Sequence, residues 1–195
     1  MYAKTSAGVG QAPLIDSDRK LIVAQSGGKY AEAAMAGRLF YAANINMVAT
    51  STTLNTAFAG LGLCNPTGSG KLVIVHEFGW ANVIDLVTEA VLGLATTTDS
   101  GFEDDTNAPI QCCRHGYATS VCYTDEAGTI IKPELVKIIT QFSTAAITTY
   151  QPRKQVIDLQ GSIVLAAGRA VVTDTTTVLK ASSGQFSFMW EEIDI

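Results

Sequence analysis

The stretch FSFMWEEI, residues 186–193, alternates two sets of side chains along one extended run. Successive side chains of a β-strand point to opposite faces, so Phe186, Phe188 and Trp190 share one face and Met189 and Glu191 the other. The stretch therefore predicts a strand near the carboxyl end of the chain whose aromatic face points into a core.

Similar short runs, rich in β-branched and aromatic residues, precede it along the chain. We predict strands at 39–50, 57–64, 71–78, 116–123, 155–166, 170–173 and 186–193, and turns at 65–70, 98–101, 125–128 and 182–184. Many short strands with frequent turns predict a mainly β fold, an antiparallel β-sandwich or jelly roll. Residues 83–94 and 133–142 fit a helix or a strand equally well.

Residues 1–28 differ from the rest because Gly- and Ser-rich segments flank one short apolar piece, Leu21–Val23. We predict an extended N-terminal arm over 1–28, followed by a jelly-roll domain over 29–195. The arm is either a partly ordered tail or a segment that reaches over a neighbouring subunit. Residues 29–43 form either one helix or a helix from about 30 to 36 followed by a strand from Arg38, so we expect one or two short helices.

Composition narrows the classes of function. The 195 residues suit a single domain, and their charged fraction of 16% is well below the average of about 25%. A surface poor in charge is typical of proteins that cover much of it with copies or partners. The net charge is −5, without the clustered Lys and Arg that nucleic-acid binding needs. We expect neither nucleic-acid binding nor a membrane span, because Asp85 and Glu89 interrupt the longest apolar run.

The first 20 residues lack the apolar core of a signal peptide, so we expect synthesis in a reducing cytoplasm. The four cysteines, Cys64, Cys112, Cys113 and Cys122, are then expected to be free and buried. A Cys113–Cys122 bridge across a hairpin remains an alternative.

The segment Thr67–Lys71, TGSGK, resembles the end of a phosphate-binding loop. Such a loop needs a Gly separated from the Gly-Lys pair by four residues, a Ser or Thr after the Lys, and a helix that begins there. Asn65 and Leu72 occupy the two positions, and a strand-like run follows. The segment is therefore predicted to be a hairpin-type turn between two sandwich strands.

Two sets of residues suggest metal or nucleophilic chemistry without completing a site. Cys112, Cys113, His115 and Cys122 lack the second closely spaced pair that structural zinc needs. His76-Glu77 lacks the second nearby His of a jelly-roll metalloenzyme, and nothing pairs either His with a thiol. We therefore predict no catalytic, cofactor-binding or metal-binding residues, and no enzyme.

The acidic loop at 103–107, EDDTN, carries oxygen ligands of the kind that Ca²⁺ prefers. Its spacing matches no EF-hand-like loop, and it lacks the Gly of the turn position. A solvated loop is therefore the expected structure.

Four segments together resemble the jelly-roll decoration, or cement, proteins of tailed-bacteriophage heads. They are YAEAAMAGRLFYAAN (30–44), LCNPTGSGKL (63–72), IDLQGSIVLAAG (157–168) and FSFMWEE (186–192). The resemblance covers roughly residues 29–78 and 155–193, through turn and strand signatures that carry no catalytic residues.

This resemblance implies a homo-oligomer, with a trimer favoured, that is made in the host cytoplasm. It implies that the protein binds the major capsid protein on the capsid surface of the virion and bridges neighbouring capsid subunits. A receptor-binding or tail-fibre module is the first alternative, and a jelly-roll metalloenzyme is the second.

Overall fold

The computed structural model describes residues 3–4, 10–11, 28–50, 57–82, 90–130, 134–142, 153–175 and 184–195. The chain divides into two compact units, Met1–Glu32 and Ala33–Ile195. In the first unit, β1 (Ala3–Lys4) pairs antiparallel with β2 (Gly10–Gln11). Most of residues 1–28 lie outside the described residues, so the extended arm stays a prediction.

The only helix among the described residues is α1 (Ala31–Met35). It ends because Gly37 takes a positive φ of 72°, a left-handed conformation that favours glycine after the last helical turn. A strand begins two residues later at Leu39, so the alternative of a short helix followed by a strand is confirmed.

Two antiparallel five-stranded sheets, both within the second unit, make the fold mainly β and form a β-sandwich, as predicted. Sheet I has the order β10-β5-β12-β3-β7, and sheet II has the order β8-β4-β11-β6-β9. The strands are β3 (Leu39–Ala43), β4 (Ala57–Asn65), β5 (Lys71–Asn82), β6 (Ala90–Thr98), β7 (Gln111–Cys112), β8 (Tyr123–Thr129), β9 (Glu134–Phe142), β10 (Arg153–Leu165), β11 (Arg169–Thr175) and β12 (Gly184–Asp194).

The strand pairing follows a simple rule. The strands β3, β4, β5 and β6 pair antiparallel with β12, β11, β10 and β9, respectively. Successive members of each series lie in opposite sheets. The described segment 99–130 interrupts this arrangement between β6 and β9 and adds β7 to the edge of sheet I and β8 to the edge of sheet II. We call it the insertion.

The aromatic face of β12 is at the centre of the main core, as the alternation predicts. Phe186, Phe188 and Trp190 are almost fully buried. The ring of Trp190 stacks on Phe40 with centroids 6.2 Å apart, and the ring of Phe188 lies 5.1 Å from that of Phe78. Burying each such side chain contributes about 1.5–3 kcal/mol, so this strand is a principal source of stability.

A second, smaller core lies on the outer face of sheet II. There Phe58, Ala95 and Val172 pack with Ile130 and the half-buried Phe102, which belong to the insertion. The part of sheet II that carries Phe58, Ala95 and Val172 is thus covered on both faces, and this explains why β4 reads FAGLGLC, an almost continuous apolar run rather than an alternating one.

Four local predictions are resolved by these elements. Residues 90–98 and 134–142 are strands, whereas residues 83–89 lie outside the described residues. The predicted strand at 116–123 is wrong, because residues 116–122 form a loop whose Val121 amide contacts the Glu192 side chain. The predicted turn at 125–128 is also wrong: it lies within β8, beside a register shift opposite Gly60, whose φ is 130°.

Among the described residues, none of the helices has the length and apolar character needed to cross a membrane.

Candidate interaction surfaces

The TGSGK segment is a turn between two sandwich strands, as predicted. Gly68 and Gly70 have positive φ values of 80° and 67°, and β5 begins directly at Lys71 where a phosphate-binding loop needs a helix. The hairpin prediction is wrong, because β4 and β5 lie in different sheets and do not pair. The turn is an arch from one sheet to the other.

The side chain of Asn65 stabilises this arch by hydrogen bonds. Its side-chain amide donates to the backbone carbonyls of Lys71 and Leu165, at 2.9 Å each. The backbone amide of Thr67 donates to the carboxylate of Asp99 at 2.9 Å, and bonds from Thr67 lower the pKa of Asp99. Hydrogen bonds thus join the connections that follow β4, β6 and β10 at this end of the sandwich.

The four cysteines are free. Cys64, Cys112 and Cys122 are buried as predicted, but Cys113 is exposed because it follows the last residue of the short strand β7. Burial raises the pKa of Cys64 to about 12, and burial followed by the nearby Glu192 charge raises that of Cys122. Thiols in this state are poor nucleophiles and poor ligands at neutral pH.

His115 is exposed in the insertion, whereas His76 lies in β5, opposite a register shift between β5 and β12. The Nε2 atom of His76 is 3.5 Å from Glu191, which also accepts a 2.9 Å hydrogen bond from Arg38 Nε. Within the described parts of the chain, no three His, Cys, Asp or Glu side chains are grouped so as to hold a metal ion.

The acidic loop is anchored to β8 by its backbone. The Glu103 amide donates to Asp125 at 3.3 Å, and Asp105 accepts from the Asn107 amide at 2.8 Å. The side chains of Glu103 and Asp104 are exposed, as expected for a solvated loop. Burial first, and the Asp105 charge to a smaller extent, raise the pKa of Asp125.

A buried carboxylate that the sequence analysis missed connects the insertion to β12. Glu192 is 2% exposed. It accepts hydrogen bonds from the Ser120 hydroxyl at 2.5 Å, the Trp190 indole at 3.3 Å and the Val121 amide at 3.4 Å. The alternation that places Phe188 and Trp190 inward places Glu192 inward too, so the signal was present in the sequence.

The outer face of sheet I exposes apolar side chains, whereas the outer face of sheet II is covered by the insertion at its centre and exposes Ile138 on β9. Tyr41, Val156 and Val164 are 46%, 56% and 53% exposed. Ile74 and Met189 are half-buried on the same face, and Ile74 lies directly opposite Val164 in the register of β5 and β10. The same face also carries Glu77 and Asp158, which lie in one row with Tyr41 and Met189, so it is a mixed surface of apolar and acidic side chains.

A second exposed group lies where the insertion meets the end of α1. The guanidinium carbon of Arg114 is 3.8 Å from the ring centroid of Tyr117, and Arg114 Nη1 donates to the backbone carbonyl of Met35 at 2.8 Å. Met35, Cys113 and Arg114 line a shallow depression here. We call Met35, Cys113, Arg114 and Tyr117 the Arg114 corner.

Comparison of the chain with protein families, curated proteins and solved structures gave no match.

Proposed function

We propose that this chain is a jelly-roll structural protein of a bacteriophage virion that decorates the capsid and stabilises it by bridging neighbouring capsid subunits. The major capsid protein is its proposed partner, and copies of the chain form a closed oligomer for which a trimer is expected. The observation that carries the proposal is the pairing of the first four sandwich strands with the last four in reverse order.

This pairing corresponds to one long antiparallel hairpin wrapped into two sheets. Removing β7 and β8, which the insertion supplies, leaves β10-β5-β12-β3 facing β4-β11-β6-β9. Eight antiparallel strands in two four-stranded sheets, with nearly every connection crossing between the sheets, are what a double Greek key requires, and this supports the jelly-roll part of the proposal. Viral capsid proteins are a major class that uses this architecture.

A decoration protein acts by binding the assembled capsid more tightly than the dispersed subunits, because the assembled state then gains the free energy of binding. That role needs a rigid scaffold with exposed contact surfaces. The hydrogen bonds of the Asn65 side chain and the two cores make the scaffold rigid. The exposed apolar face of sheet I, with Tyr41, Val156 and Val164, is the surface that we assign to the capsid.

Binding to capsids from the phage that encodes the chain tests the proposal. Purified protein mixed with expanded capsids is expected to co-sediment with them and to raise the temperature at which they rupture. A Val164→Glu variant is expected to bind at least about tenfold more weakly, because a carboxylate would be desolvated in the contact. Ile138→Glu, the matched change at an exposed residue of sheet II, is expected to bind normally. Failure of the unaltered protein to co-sediment would contradict the proposal.

A further inference from the structure

The Arg114 corner is rigid although it is exposed. Arg114 is held on one side by the Tyr117 ring and on the other by the Met35 carbonyl. The Tyr117 ring in turn lies so close over Gly37 that a Cβ atom there would overlap it. The guanidinium therefore keeps one orientation without a partner, and little conformational entropy is lost when a partner binds.

The composition of the corner is that of a binding hot spot. Met35 is 64% exposed and Tyr117 is 56% exposed. Arg, Tyr and Met are enriched at protein–protein contacts, and Tyr and Arg dominate the residues whose loss weakens binding most. Among the described residues, no carboxylate lies within ion-pair distance of Arg114. The guanidinium N–H groups of Arg114 that do not bond to the Met35 carbonyl are thus suited to donate to a carboxylate.

The acidic loop supplies the complementary charge. Glu103 and Asp104 are exposed, and within the described part of the chain neither forms an ion pair. Their backbone is fixed, because the Glu103 amide is bonded to Asp125 and the adjacent Asp105 caps the Asn107 amide. The chain therefore presents one ordered acidic run and one ordered cationic corner.

We propose that copies of this chain associate by placing the acidic loop, residues 103–105, of one copy in the Arg114 corner of the next. Each copy supplies one corner and one loop, so a closed ring satisfies every corner with a single type of contact. A carboxylate of the loop binds the guanidinium, and Met35 and Tyr117 pack around the pair and exclude water. The proposal rests on the self-assembly part of the proposed function and names the surfaces that carry it.

Charge reversal with rescue tests this pairing. Sedimentation velocity over a range of concentrations is measured for the unaltered chain, Arg114→Glu, the loop variant Glu103→Arg/Asp104→Arg, and the combination of all three changes. Each single-sided variant is expected to raise the dissociation constant at least about tenfold, because like charges then face each other. The combined variant is expected to restore it to within about threefold, because the charges are complementary again.

Two further variants separate this contact from general charge effects. Arg169→Glu makes the same charge change at an exposed residue of β11 and is expected to leave association unchanged. Arg114→Lys keeps the charge but loses the planar fork, so its dissociation constant is expected to lie between those of the unaltered chain and Arg114→Glu. Tryptophan fluorescence confirms that each variant is folded, since Trp80 and Trp190 are buried.

The outcomes distinguish this inference from the proposed function. The corner–loop contact alone is overturned if the unaltered chain associates and the single-sided variants associate equally well. It is also overturned if the combined variant does not restore association. A chain that remains monomeric yet co-sediments with capsids also overturns the contact and leaves capsid binding standing. If the unaltered chain associates and the combined variant restores association, but the chain never binds capsids, the contact is supported and the proposed function is overturned.

Discussion

The position of Gly62 under the insertion gives the sharpest prediction about stability. A Cβ atom built at Gly62 would lie 2.5 Å from Cε1 of Phe102 and 2.9 Å from Cζ of Phe58. The two rings are stacked with centroids 5.1 Å apart, so Phe102 has to move away from sheet II to admit the extra methyl group. Gly62→Ala therefore tests whether the insertion is packed onto the outer face of sheet II.

The expected magnitude follows from two opposing effects. Overpacking a filled core by one carbon costs about 1–3 kcal/mol. Replacing Gly by Ala inside a strand returns about 0.5–1 kcal/mol by reducing the entropy of the unfolded chain. The difference between these effects gives a net loss of up to about 2.5 kcal/mol for Gly62→Ala. Phe102→Ala alone removes a stacked, half-buried ring and is expected to cost about 2–3 kcal/mol.

The double variant Gly62→Ala/Phe102→Ala tests whether the Phe102 ring packs over Gly62. With the Phe102 ring removed, the methyl group at position 62 fills part of the vacated space, so the combined cost is expected to be at least about 1 kcal/mol less than the sum. The free energies come from urea unfolding followed by the fluorescence of the buried Trp80 and Trp190. Costs that add to within about 0.5 kcal/mol would refute the packing of Phe102 over Gly62.

Three further predictions concern the arch, the insertion and the thiols. Asn65→Ala is expected to lower the free energy of unfolding by about 1–3 kcal/mol, because one buried and one half-buried carbonyl lose their donor, while the removal of the buried Asn65 Oδ1, which has no hydrogen-bond partner among the described residues, offsets part of the loss; urea unfolding measures it, and a loss below about 0.5 kcal/mol would count against these hydrogen bonds. Burial raises the pKa values of Asp125 and Glu126 in the folded state, so the folded protein binds their protons more tightly and their contribution to stability should increase as the pH falls through those raised values toward the ordinary carboxyl range. In thermal unfolding, Asp125→Asn should weaken that increase, whereas an unchanged pH profile would contradict the burial of Asp125. Under native conditions, a small thiol reagent is expected to label Cys113 alone, which is exposed, and modification of Cys64 seen by mass spectrometry would contradict its burial.

Strand alternation was the most reliable signal in the sequence, because it reports directly which face of a strand is buried. It places Phe186, Phe188 and Trp190 in the core, and their burial confirms this. The same alternation includes Glu192, but a carboxylate at an inward position is costly unless it is bonded. Its partners Ser120 and Val121 lie some seventy residues earlier in the chain. A local sequence pattern does not predict so distant a contact.

The insertion is where local reasoning fails. The alternation in YATSVCY, residues 117–123, predicts a strand, yet only Tyr123 enters one. The amide and hydroxyl groups of this loop bond to Glu192 instead of a neighbouring strand, so tertiary contacts override the β propensity. Conversely, the residues of DEAG, 125–128, favour a turn, but pairing with β4 across a bulge keeps them extended.

The Arg114 corner also lies beyond what the sequence shows. Met35 and Arg114 are far apart in the chain, and only the fold places the guanidinium on the Met35 carbonyl. The sequence does predict that the loop at 103–107 is exposed, and Glu103 and Asp104 confirm it.

Electron cryomicroscopy of particles purified from the source of this sequence tests the proposed capsid role most directly. The account predicts density for the two-sheet sandwich on the outer surface of the capsid. Copies should be joined in closed groups, with the face that carries Tyr41, Val156 and Val164 against the capsid subunits. Density for the chain at the tail or fibres, or virions without it, would contradict the account.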